Sequence, residues 1–235
     1  MYMMYYPFFD GTFLLLIPAL LFALWAQMKI KSTFQKYSGI PARKGFTASS
    51  VARKLLDGYG LQNIPVERVG GNLTDHYDPA RKVLRLSDSV YGSSSIAAIG
   101  VAAHETGHAV QDLKGYAPLR IRNAVVPVVN FSSVLAFPLF FIGLLMRSPT
   151  MMDLGILFFL GVLAFHLVTL PVELDASARA LRVLGHTNTL DAEELTGARK
   201  VLRAAAMTYV AATLMALAQL VRLLLLRGAF GGRND

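Results

Sequence analysis

Residues 96–111 read IAAIGVAAHETGHAVQ, and the organisation of the whole chain follows from this stretch. Ile96 to Ala103 are small or apolar without a break, which predicts a helix, and Ser93 to Ser95 can cap its start. On that helix His104 and His108 lie one above the other, so both imidazoles reach a single ion. Glu105 stands where its carboxylate approaches a metal-activated water without being a ligand. The pattern predicts zinc-dependent peptide hydrolysis, with one zinc per chain acidifying a water and Glu105 as the general base that passes the proton to the leaving amine. Gly107 would let another backbone come close to the helix.

Composition limits what surrounds this helix. Of 235 residues, 54% are hydrophobic and only 16% charged, too apolar for a soluble protein, so long segments enter lipid. There is no cysteine, so a metal must be held by His, Asp or Glu. The net charge of +8 is not gathered into a basic stripe with stacking aromatics, which argues against a nucleic-acid partner.

Four apolar segments can cross a bilayer, each long enough at about 1.5 Å per residue for a core of about 30 Å. Phe13 to Met28, extended forward by Pro7 to Phe9, is expected to be an uncleaved anchor rather than a signal peptide, since no Lys or Arg precedes it and no small-residue cleavage site follows. Val125 to Leu145 and Asp153 to Val172 form a helical hairpin, with Pro127 and Pro138 expected to kink its first arm. Ala204 to Val221 is the fourth segment, prolonged by Leu223 to Leu226 if Arg222 snorkels to the interface. Fourteen Lys and Arg lie between Lys29 and Arg122, five between Arg179 and Arg203, one at the hairpin tip and none before the first span. The positive-inside rule then puts the metal helix in the cytoplasm and both chain ends outside.

The expected fold is a mainly α membrane protein, with about four transmembrane helices and a small cytoplasmic α+β module. Its parts are transmembrane helix 1 (residues 8–28), the α+β module (29–122), the hairpin (123–172), a cytoplasmic helix with a third metal ligand (173–203) and transmembrane helix 4 (204–226). Within the module, Thr47 caps a helix to about Asp57, ended by Gly58 and Gly60. Ile64 to Val69 and Lys82 to Leu86 alternate as strands, with a turn at Gly70-Gly71-Asn72. The Lys82 to Leu86 strand either offers a free edge beside the zinc, where an extended peptide pairs with it, or is a core strand already paired on both edges; alternation does not decide between them.

A peptidase zinc needs a third protein ligand, and Glu173 emerges at the cytoplasmic end of the hairpin. Asp175 points about 160° away on a helix and pairs naturally with Arg179; His166 lies two turns earlier, about 10 Å deeper. Both remain rivals to Glu173. Gln111 and Asp112 can orient a ligand imidazole, and His76 and Tyr116 can stabilise the oxyanion. A turn around Asp78-Pro79 explains the segment bearing His76 equally well.

The segments Leu73 to Pro79, Leu86-Ser87, Val90-Tyr91, Ser95 to Ala98, Val101 to Gln111 and Pro171 to Ala180 resemble those of the bacterial membrane-bound neutral zinc metallopeptidases of the YugP-like family. The resemblance implies a multi-pass protein of the bacterial inner (plasma) membrane with a zincin-like module, zinc at His104 and His108, and Glu105 as base. More distantly the layout is similar to membrane gluzincins, in which an aspartate four residues after the ligand glutamate supports a histidine. Here Ser177 stands at that position.

The expected partners are the lipid bilayer and a peptide or protein substrate, membrane proteins included. One alternative is a scaffold with a structural zinc and no turnover, against which the intact Glu105 argues. A metal transporter would want polar residues along its spans, and apart from His166 these are nearly free of them.

Overall fold

The computed structural model describes residues 11–231. The chain is mainly helical, with four helices long and apolar enough to cross a membrane and one small sheet. A 3-10 stretch, Gly11–Leu16, leads into α1 (Ile17–Ser38). Then follow α2 (Ala48–Gly58), β1 (Val66–Val69), β2 (His76–Asp78), β3 (Val83–Ser87) and the single turn α3 (Asp88–Tyr91). The four remaining helices are α4 (Ile96–Leu113), α5 (Ala117–Leu145), α6 (Pro149–His186) and α7 (Ala192–Gly231). The front of the expected first span, residues 8–10, lies outside the described residues.

Two compact units share the long helices. The first takes in Ile121–Thr169 with the described parts of Met1–Trp25 and Tyr209–Asp235. Its apolar core is built from Phe140 and Leu144 of α5, Met152, Ile156 and Phe159 of α6, and Leu220 and Leu223 of α7. Glycines bring α5 and α6 into backbone contact: a Cβ on Gly143 or Gly155 would lie 2.7 Å from the main-chain nitrogen of Met152 or Phe140. Large apolar side chains on the outside, such as Leu20, Leu24, Phe131, Val134, Leu157 and Leu217, are exposed, as lipid-facing helices require. Arg222 is buried; its Nε donates to Thr12 Oγ1 and its guanidinium lies over the Phe13 ring.

The second unit, Ala26–Arg120 and Leu170–Thr208, holds the sheet and α4. Thr47 caps α2 by accepting from Ser50 N–H, and Ser95 caps α4 by accepting from Ala98 N–H. From Ile96 to Gln111 almost every residue of α4 is buried, because α2, the sheet, α6 and α7 all pack on it. An Asp191/Glu194 capping box starts α7, each carboxylate accepting the other residue's N–H. Arg43 ties its own loop to that turn through Asp191 and Glu193.

One open expectation is settled and two are corrected. The sheet order is β1-β3-β2, with β1 parallel and β2 antiparallel to β3, so the Lys82 to Leu86 strand is central and paired on both sides. Alternation marked it as a strand but carries no information on edges; the free edge beside α4 belongs to β2. That strand, His76–Asp78, arose where only a turn was expected, although Asp78 also accepts from the N–H groups of Ala80 and Arg81 to make the turn. Finally, 173–203 is not one helix: α6 continues unbroken through Glu173 to His186, and α7 begins at Ala192, well before Ala204. Long helices run through a change from apolar to polar composition without a signal to stop.

Candidate metal centre

His104 and His108 lie on one face of α4, their rings edge-to-face with centroids 4.7 Å apart. Across from them α6 presents Glu173, whose Oε2 is 3.2 Å from His104 Nε2 and 3.6 Å from His108 Nε2. One donor atom from each of the three lies within 4.8 Å of the others. The helices can approach this closely because of Gly107: a Cβ there would lie 2.7 Å from the carbonyl oxygen of Ala176. Neither Asp175 nor His166 belongs to the cluster. His166 is part of the first unit, edge-on to Phe165.

The donor set can be tested against a divalent ion by asking where the other ring nitrogens go. Gln111 donates both amide hydrogens, to Val172 O and Asp175 Oδ2, each at 2.8 Å. Its Oε1 is therefore turned to His108 Nδ1, 3.0 Å away, and can only accept. His108 must carry its proton on Nδ1, which leaves the Nε2 lone pair for an ion. For His104 the corresponding partner is Ser177 Oγ, 3.1 Å from Nδ1. Asp175, held by Arg179, completes the chain behind Gln111. Two imidazole nitrogens and one carboxylate, each braced from behind, fit zinc. Burial pushes the His108 imidazole down, but the Glu173 and Glu105 carboxylates outweigh it and hold the ring above its usual range. The pocket thus favours a positive charge.

Glu105 is nearly buried, and its Oε2 accepts the Tyr77 main-chain N–H at 3.0 Å. Tyr77 is fixed in turn: its hydroxyl donates to Asp112 Oδ2 at 2.6 Å, and Lys82 pairs with the same carboxylate. Burial, reinforced by Asp112, pushes the phenol well above its ordinary range and keeps it a donor. Asp112 therefore serves Tyr77 and Lys82, not a ligand imidazole. His76 is exposed on β2 with Nδ1 at 2.8 Å from Thr74 O, and Tyr116 lies under the Arg179 guanidinium.

Tyr77 and Ser177 are the contacts that the sequence reading did not assign. Ser177 had a signal, since it lies one turn after Glu173 on the same face, but a serine there read as the loss of an acid. Nothing in the local sequence marks Tyr77, whose role depends on the register of β2 against β3.

With this geometry in view, the comparisons are specific. Residues 12–228 match the family described as "Putative neutral zinc metallopeptidase". The chain belongs to this family. A relative from Bacillus subtilis (strain 168), described as "Putative membrane protease YugP", is 48% identical over 221 residues, which cover 94% of this chain and 97% of the relative. No solved structure matches. The family description implies zinc, and the three-donor cluster is where this chain can hold it.

Proposed function

We propose that the protein is a membrane-embedded zinc endopeptidase that cuts exposed or unfolded segments of proteins, membrane proteins included, at the cytoplasmic surface of the bacterial inner membrane. The observation that carries this reading is the joint arrangement of His104, His108 and Glu173 with Glu105 held beside them. His104 Nε2, His108 Nε2 and the Glu173 carboxylate would hold the metal. When bound, zinc supplies a Lewis acid that acidifies water and polarises a peptide carbonyl.

The chain's own residues do the remaining work. Tyr77 N–H holds Glu105 Oε2, which leaves Oε1 to take a proton and later to hand it to the leaving amine. Gln111 keeps His108 in the tautomer that binds metal, and Ser177 Oγ stands where it can accept from His104 Nδ1. The excess of Lys and Arg between the first and second spans supports the cytoplasmic orientation. A base hydrogen-bonded beside the ligands has no use in a purely structural site.

Glu105→Gln should retain zinc and lose about 10²-fold or more of peptide hydrolysis, whereas His104→Ala should lose both. Zinc content and cleavage of an unfolded peptide by detergent-purified protein would be compared. Undiminished hydrolysis by Glu105→Gln would rule the mechanism out.

A further inference from the structure

Glu105 and Asp112 stand two helical turns apart on α4, within about 20° of the same face and about 10 Å from each other along the axis. Both hold the same residue. Glu105 Oε2 accepts the Tyr77 main-chain N–H at 3.0 Å, and Asp112 Oδ2 accepts the Tyr77 hydroxyl at 2.6 Å. Tyr77 is thus gripped at both ends along that face. Its ring joins the apolar cluster that contains Ala109, the small residue standing between the two acids.

A third contact backs the second. Lys82 closes the turn from β2 to β3 and pairs with Asp112. Its backbone lies in the left-handed region, at φ 52°, where glycine or asparagine is the less strained choice. Glycine would relax the turn and leave Asp112 without its cation. Packing alone requires none of this, because a phenylalanine would fill the same place in the cluster. The hydroxyl, the carboxylate and the strained cation therefore add direction rather than burial.

The direction they fix is that of the Tyr77 N–H. A main-chain donor has no rotamer of its own and points where its strand is held. Here the strand is three residues long, at the sheet edge, with β3 as its one neighbour in the sheet. Among the described residues this N–H is also the one hydrogen-bond partner of the Glu105 carboxylate, so nothing else there orients it. We propose that Tyr77 and Asp112 are positioning residues for the reaction: the Tyr77 hydroxyl, anchored on Asp112, holds the N–H that orients the Glu105 carboxylate, and so sets the rate of the proton transfers Glu105 carries out. This rests on the peptidase reading, in which Glu105 is the base. A misplacement of about 1 Å in a reacting group costs about 10²-fold, and the loss of one anchor should cost part of that.

The test uses the full chain, zinc-loaded and purified in detergent, and reads zinc affinity together with kcat and KM for cleavage of an unfolded peptide. Tyr77→Phe should lower kcat about tenfold, with KM and zinc affinity within about twofold of wild type. Asp112→Ala should do the same, and the double variant should lose no more than either alone. Asp112→Asn, whose amide oxygen still accepts the phenol, should recover most of the loss. Tyr59→Phe removes a hydroxyl that makes no hydrogen bond among the described residues, from a tyrosine packed on the same cluster, and should change none of the three values. A hydroxyl that served folding alone would lower thermal stability and leave kcat per zinc-bound molecule as it was. Undiminished kcat in Tyr77→Phe, or losses that multiply in the double variant, would overturn the proposal. Should Asp112→Ala fail to fold, Tyr77→Phe decides alone, since it removes only the hydroxyl. Hydrogen exchange at the Tyr77 amide separates the proposal from the reading beneath it: exchange should quicken in Tyr77→Phe whether or not a peptide is cut. Quickened exchange in a protein whose wild type cuts no peptide would sink the peptidase reading and keep the clamp; a cleaving wild type with exchange and kcat unaltered in Tyr77→Phe would sink the clamp and keep the reading.

Discussion

Gln111 makes the sharpest residue-scale commitment. With both amide hydrogens donated, its oxygen dictates the His108 tautomer, so Gln111→Leu should lower zinc affinity by about 10 to 100-fold while Glu105 and the helix stay in place. Ser177→Ala should do the same through His104 to a smaller extent, because a hydroxyl is a weaker brace than the amide backed by Asp175 and Arg179. Competition with a chromophoric chelator measures both; unchanged affinity in Gln111→Leu would show that the bond does not brace the ligand. The two histidines and Glu105 were legible because one turn of helix fixes their relation within five residues. Glu173 was legible from 69 residues away because it was the first carboxylate after an apolar hairpin. Tyr77 was not, since its contact with Glu105 is set by how β2 registers on β3 and no local pattern encodes that.

At the scale of elements, the close approach of α4 and α6 builds the site. Gly107 faces the Ala176 carbonyl across it, and backbone cannot yield as a flexible side chain can. Gly107→Ala should force the helices apart and destabilise the fold by about 1 to 3 kcal/mol, with a loss of zinc affinity larger than that of a surface substitution. Thermal unfolding and zinc titration check it, and wild-type values for both would mean that the helices are free to shift. The elements themselves read well where local chemistry decided them, as at the Thr47 and Ser95 caps. The strand order read poorly, because β3 alternates in the same way whether it is paired on one side or two. The ends of α6 and α7 also escaped, since helix propensity persists past the point where hydropathy changes.

At the scale of the whole molecule, four apolar helices and the charge bias lead to a topology that a chain without cysteine makes easy to test. Gly58 and Gly228 both have open space where a Cβ would stand. In intact cells Gly228→Cys should react with a membrane-impermeant thiol reagent and Gly58→Cys should not; the reverse would put the metal centre on the outer face. The central claim is narrower still: zinc held by two imidazoles of α4 and one carboxylate of α6. An anomalous-difference map recorded at the zinc edge from crystals of the zinc-loaded protein tests it most directly. The account predicts a single peak per chain within about 2.0 to 2.2 Å of His104 Nε2, His108 Nε2 and a Glu173 oxygen. A peak coordinated by Asp175 or His166 with Glu173 remote, or no peak at these residues, would contradict it.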